Sequence, residues 1–232
     1  MRIIKYIVLS SIIAFYSCST KTEKKSNKTN QTSYQTEKDT ETNKYHGGYG
    51  FENIADSLGY ISYEWNEEND KTFFGDPKSK KGGTLHYIHS LFPRTMRIWG
   101  QNASQVLNSR TINALCYEGL LSQHPTTLEF IPSLASHWKI SEDKMIFKFR
   151  INPDSRWWDG MPVTADDVVA TWDLLMDETI LFPSSQITYG KFERPIAESK
   201  YIVSVKAKSV NWRNFLYFST MSLHPHHILK DL

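Results

Sequence analysis

A mixed α/β domain is the fold class this sequence predicts, and three short stretches carry the prediction. In MIFKFRI, 145–151, Met145, Phe147, Phe149 and Ile151 alternate with Ile146, Lys148 and Arg150. A period of two is that of a strand buried on one face. KYIVSVKAK, 200–208, reads as a second such strand. Between them TADDVVATW opens with a Thr-x-x-Asp capping box, Thr164 to Asp167. It continues with Val168, Val169, Trp172, Leu175 and Met176 at helical spacing, which predicts a helix with one buried face.

The start of the chain is not domain material. Arg2 and Lys5 precede an apolar run from Tyr6 to Phe15, about half of what a bilayer-spanning helix needs, so residues 1–17 read as an export signal. Ser17-Cys18 behind that run resembles the lipobox of bacterial lipoproteins, which implies that Cys18 is acylated and tethers the protein to a membrane. Residues 18–48 come next as a polar tether. From Ser19 to His46 there is no Val, Ile, Leu, Met or Phe to repay the entropy of ordering. The folded domain is expected over 49–232. A formal charge of +2 across 232 residues, with no basic patch, excludes a nucleic-acid binder.

Within that domain FENIADSLGYISYEW predicts a short helix and then an extended piece, and TLHYIHSLF a strand. NSRTINALCYEGLL, 108–121, places Ile112, Leu115, Cys116 and Leu120 near helical spacing and predicts a helix. Cys116 is expected to be a small buried hydrophobe there. If Cys18 carries lipid, no intramolecular disulfide can form.

The densest punctuation lies in WWDGMPVTADDVVATW, 157–172. Asp159-Gly160 predicts a tight turn, and Pro162 keeps the residue before it extended. Asp166 and Asp167 fall in the first helical turn, where the helix dipole favours negative charge. A pair of catalytic carboxylates is the competing reading. Adjacent helical residues point about 100° apart and cannot both converge on one bond, so capping explains them. His224, His226 and His227 in HPHH suggest a metal. Their spacing turns His226 and His227 to different faces with no acidic or thiol residue close in sequence, and no metal site is expected.

PSLASHWKISEDKMIFKFRINPDSRWWDGMPVTADDVVATW, 132–172, resembles the signature of the extracellular solute-binding proteins of family 5, the oligopeptide- and dipeptide-binding components of ABC transporters. Pro132, Leu134, Ala135, Trp138, Phe149, Arg150, Asp159, Gly160, Pro162, Thr164 and Asp167 are among the matching positions. KKGGTLHYI, CYEGLL and SLHPHHIL resemble flanking pieces of the same family, so the likeness runs from about 80 to 232. It implies the N-terminal lobe of a two-lobed clamshell, with the second lobe absent from a chain that is a fragment or a truncated product.

The resemblance further implies an exported, membrane-anchored monomer, in the periplasm or on the cell surface. It would bind peptide, need no cofactor, perform no catalysis and deliver its ligand to a permease. Ligand contacts are implied for Phe92 and Arg94 in HSLFPRTMR, and for Ser184 and Tyr189 in FPSSQITYG. Arg94 would pair a ligand carboxylate and Phe92 would stack on a side chain. A nickel complex, haem or a peptide-like antibiotic is the alternative cargo. A degenerate structural lipoprotein is the alternative without any ligand.

Overall fold

The two expected strands are the centre of the structure. A computed structural model describes residues 52–65, 78–80, 82–84, 86, 88, 94–103 and 111–230, all within one compact unit, Tyr34–Leu232. The described elements are α1 (Glu52–Ser57), α2 (Asn113–Cys116), β1 (Leu121–Gln123), β2 (Phe130–Pro132), β3 (Ala135–Ile140), β4 (Ile146–Ile151), α3 (Ala165–Met176), α4 (Pro183–Tyr189), β5 (Ile196–Ala197), β6 (Ile202–Lys206), α5 (Trp212–Ser219) and α6 (His226–Leu229). The export signal, Cys18 and the tether lie outside the described residues. Among the described residues no helix is long and apolar enough to cross a membrane.

Four strands pair in the order β3-β4-β6-β5, and β1 with β2 forms a separate ribbon; every pairing is antiparallel. The mixed class is therefore of the α+β kind. The β3–β4 turn is organised by short polar side chains. Ser141 Oγ accepts from Ile146 N at 2.9 Å, and Asp143 Oδ1 from Met145 N at 3.1 Å.

Alternation along β4 and β6 separates the two faces of the sheet. Phe147, Phe149, Val203 and Val205 join the main core beneath α3 and α5. There Phe215 of α5 meets Phe130, Phe147 and Phe149 at ring separations of 4.7, 5.3 and 5.6 Å. Such aromatic packing adds specific geometry to the area it buries. On the opposite face Ile202 forms a small cluster with Ala55 and Tyr60. Ile61 extends the sheet by a bridge to Trp138. Arg150 corrects the expectation of a half-buried β4: it is only 2% exposed and donates to Ser136 Oγ at 2.6 Å.

The helix expected over 108–121 is described only as α2. Residues 104–110 lie outside the described residues, and the chain leaves the helix at Tyr117, whose φ and ψ of −132° and 146° are extended. Leu120, read as the end of a helical face, instead enters the core just before β1, and Leu121 enters it as the first residue of that strand. Gly119 makes that route possible, because a Cβ there would sit 2.9 Å from Ser219 O. Cys116 is exposed, against the expectation that it would be buried, and α2 buries none of its side chains among the described residues. Of the strand expected over 84–92, only Thr84, His86 and Ile88 are described, and they belong to no strand.

Candidate functional site

The turn-and-cap motif and the histidine segment, separate in sequence, are one structure. At the Asp159-Gly160 turn Gly160 takes φ +85°, its N–H donates to Trp157 O at 2.9 Å, and Asp159 Oδ1 accepts from Met161 N at 3.0 Å. Asp167, 2% exposed, accepts from Thr164 N at 2.7 Å as the capping box requires. It also accepts from Trp157 Nε1 at 3.3 Å and, through Oδ1, from His226 N at 2.6 Å. Thr171 Oγ1 donates to Asp167 O at 2.7 Å and accepts from His224 N at 2.8 Å. The His227 ring lies 2.6 Å from Asp159 Oδ2.

Each carboxylate therefore has a structural task. Asp166 is exposed while Asp167 is buried, so the two point apart. Burial pushes the Asp167 carboxyl up, against the opposing N–H groups of His226 and Thr164. Partial burial also pushes Asp159 up, but the Met161 N–H and the His227 ring together hold it below the usual carboxylate range. His224 is driven the other way. Burial lowers it to about 4, and its ring stacks on Tyr117 at 4.8 Å. The acidic partner of His227 arrives from 68 positions away, which the local sequence could not reveal. Among the described residues no group of three His, Cys, Asp or Glu side chains could hold a metal.

The expected ligand contacts lie elsewhere, on two loops that the fold brings together. Gln101 N donates to Ile180 O at 3.0 Å, and the Trp99 and Phe182 rings meet edge to face at 5.7 Å. Gly100, at φ +100°, lets the backbones approach, since a Cβ there would stand 3.0 Å from Ile180 O. The segment carrying Arg94 is thus docked onto the turn that leads into α4, which carries Ser184 and Tyr189. Arg94 is exposed, with Nη1 3.4 Å from Asn102 Oδ1. Ser184 is exposed, and its carbonyl accepts from Thr188 Oγ1 at 3.0 Å. Tyr189 is 8% exposed within the main core. Burial raises its phenol to about 12, and its carbonyl accepts from Trp172 Nε1 at 3.2 Å. Phe92 lies outside the described residues. Neither the tie between Gln101 and Ile180 nor the Trp99–Phe182 contact is evident from local sequence pattern; an aromatic residue in each loop is the available signal.

Residues 129–231 match the bacterial extracellular solute-binding proteins, family 5 Middle. That segment, a little under half of the chain, is similar to this family. Among curated relatives, the periplasmic murein peptide-binding protein MppA of Escherichia coli is 40% identical over 67 residues, 29% of this chain and 12% of that protein. The periplasmic oligopeptide-binding protein OppA of Salmonella typhimurium is 29% identical over 125 residues, 47% of this chain and 22% of that protein. The solved structure of the Escherichia coli murein tripeptide-binding protein MppA superposes with a TM-score of 0.52 at 20% identity, covering 60% of this chain and 30% of that one. At that identity the superposition establishes the fold. The matches span less than a third of the length of these relatives. The family is one of solute-binding proteins, and the expected mixed α/β lobe of that fold is what the structure contains.

Proposed function

We propose that this protein is the substrate-binding component of an ABC importer, capturing peptides outside the cytoplasmic membrane and delivering them to a permease. The observation that carries this reading is the family match over 129–231, which includes the whole clasp around Asp167. The names of the relatives, periplasmic binding proteins for murein peptides and oligopeptides, favour peptide cargo and export. A lipid on Cys18 holds the protein at the membrane, and residues 18–48 give the domain reach.

The docked loops are where ligand is met. Arg94 offers a planar cation to a peptide carboxylate, and the Ser184 hydroxyl offers a hydrogen bond to the main chain. Phe92, which lies outside the described residues, is proposed to stack on a ligand side chain. Tyr189 takes part only if α4 shifts, because its ring is packed in the core. In the clamshell mechanism, ligand shifts the population towards a closed form that the permease recognises.

Thermal unfolding of the purified, exported protein against short peptides of several lengths tests this reading. A ligand at about 100 times its Kd stabilises the native state by about 2.7 kcal/mol. A peptide-dependent rise in Tm is expected. A rise with a nickel complex or haem and with no peptide would sink the peptide assignment, and no rise with any of them would sink the binding role. For the anchor, Cys18→Ala is expected to release the protein from the membrane fraction and to remove the acyl mass from its amino terminus.

A further inference from the structure

The core face of the sheet is not covered out to its edge. Ile140 stands opposite Phe147 and Trp138 opposite Phe149, and Ile61 lies beyond β3 by its bridge to Trp138, so all five share one face. Phe215 of α5 covers Phe147 and Phe149, yet Ile61 is 53% exposed and Ile140 40%. Two grooves follow this open edge. One, of about 650 Å³, lies between residues 61–64, the loop into β2, β3 and Phe215. The other, of about 310 Å³, lies between the end of β3, Lys144 and residues 210–215. Ile140 and Phe215 line both, so the two grooves are one strip.

Further apolar surface borders the strip. Val210 and Trp212 line the second groove, and Leu128 stands between Thr127 and Glu129 of the first. Trp65 reaches the first groove through its 5.0 Å ring contact with Tyr63. With Ile61 and Ile140, these side chains are 40–76% exposed. Contiguous open apolar surface of this kind marks an interaction face.

Charge is segregated along it. Glu64 and Glu129 line the first groove, which has no Lys or Arg. Lys144 lines the second, which has no Asp or Glu, and Arg213 lies 4.8 Å over the Trp212 ring. All four charged side chains are exposed. Asp143, the neighbour of Lys144, is turned into its own turn, where it accepts from Met145 N at 3.1 Å. A partner of one sign, such as an anionic surface, would be repelled at one end of the strip. A second copy related by a two-fold axis near Ile140 sets acidic end on basic end twice and the apolar middle on itself.

We propose that this strip is the interface of a two-fold symmetric homodimer, in which Glu64 and Glu129 of each copy face Lys144 and Arg213 of the other. The resemblance implies a monomer, and the pairing stands against that expectation. It does not draw on the peptide reading, and its test contains no peptide.

Sedimentation of the exported protein over a dilution series tests the proposal. A reversible dimer is expected, weakened by salt. Lys144→Glu and Glu129→Lys, both at exposed side chains, are each expected to weaken it about tenfold. An equal mixture of the two variants, and the double variant, are expected to restore it, because two-fold symmetry sets the exchanged charges opposite each other again. Trp212→Ser is expected to weaken the dimer without restoration by either charge change. A protein that stays monomeric throughout overturns the proposal, as does a dimer that both charge reversals leave unchanged. Weakening that the mixture does not restore overturns the two-fold pairing. Monomers that co-sediment with phosphatidylcholine vesicles through Trp212 would assign the strip to a lipid surface instead.

Discussion

Two parts of the molecule that both draw attention in the sequence are built in opposite ways. The clasp between residues 157–171 and 224–227 buries Asp167 and Thr171, gives Asp167 several donors and joins segments almost sixty residues apart. The docked loops at 94–103 and 177–189 hold Arg94 and Ser184 exposed, and the Gln101–Ile180 backbone bond and the Trp99–Phe182 ring contact are among the ties that join them. The strongest motif thus marks the part that must be rigid. The residues proposed to meet ligand sit where the chain can give up contacts to solvent in exchange for contacts to cargo.

Removing the centre of the clasp gives the largest effect expected of a substitution. Asp167→Ala leaves the N–H groups of Thr164 and His226 without their acceptor and removes one half of the capping box of α3, so a loss of about 2 kcal/mol is expected in urea unfolding. Asp167→Asn, which keeps one acceptor oxygen, is expected to lose about half as much. Equal losses for the two variants would mean that negative charge, and not acceptor geometry, holds the clasp.

A comparable effect is expected from pH. His224 titrates near 4 in the folded protein, below its ordinary 6.5. Between these values the unfolded chain binds more protons than the native one, so stability rises with pH. The contribution is complete above about 6.5 and is lost as pH falls towards 4, roughly 3 kcal/mol in all. Asp167 has the opposite sign. Its raised carboxyl favours the fold in acid, and that contribution is lost as pH rises through the folded pKa. The difference between wild type and His224→Gln isolates the histidine, and an unchanged pH profile in that variant would remove it from the account.

Asp159→Asn, at a partly exposed pair, is expected to cost about 1 kcal/mol or less. Smallest in stability are Arg94→Ala and Ser184→Ala, each expected within about 0.5 kcal/mol of wild type. Their effect should appear in peptide affinity instead. If Arg94→Ala unfolds the protein as readily as Asp167→Ala, the contrast between the two regions is wrong.

Much of the fold can be read from local order. β4, β6 and α3 declare themselves through residue period and capping chemistry, because burial of one face imposes that period wherever the chain goes. The loop contacts are legible only through resemblance, and Arg94 in its exposed loop carries no pattern of its own. Composition and spacing also determined that Asp166 and Asp167 could not act as one catalytic pair. What only the tertiary structure decided is which distant groups meet. It placed Asp159 on His227, took the helical-looking Leu120 and Leu121 into the core where β1 begins, exposed Cys116 and buried Arg150. The physical reason is that periodicity says which side of an element is buried, whereas the partner that buries it depends on how the elements pack.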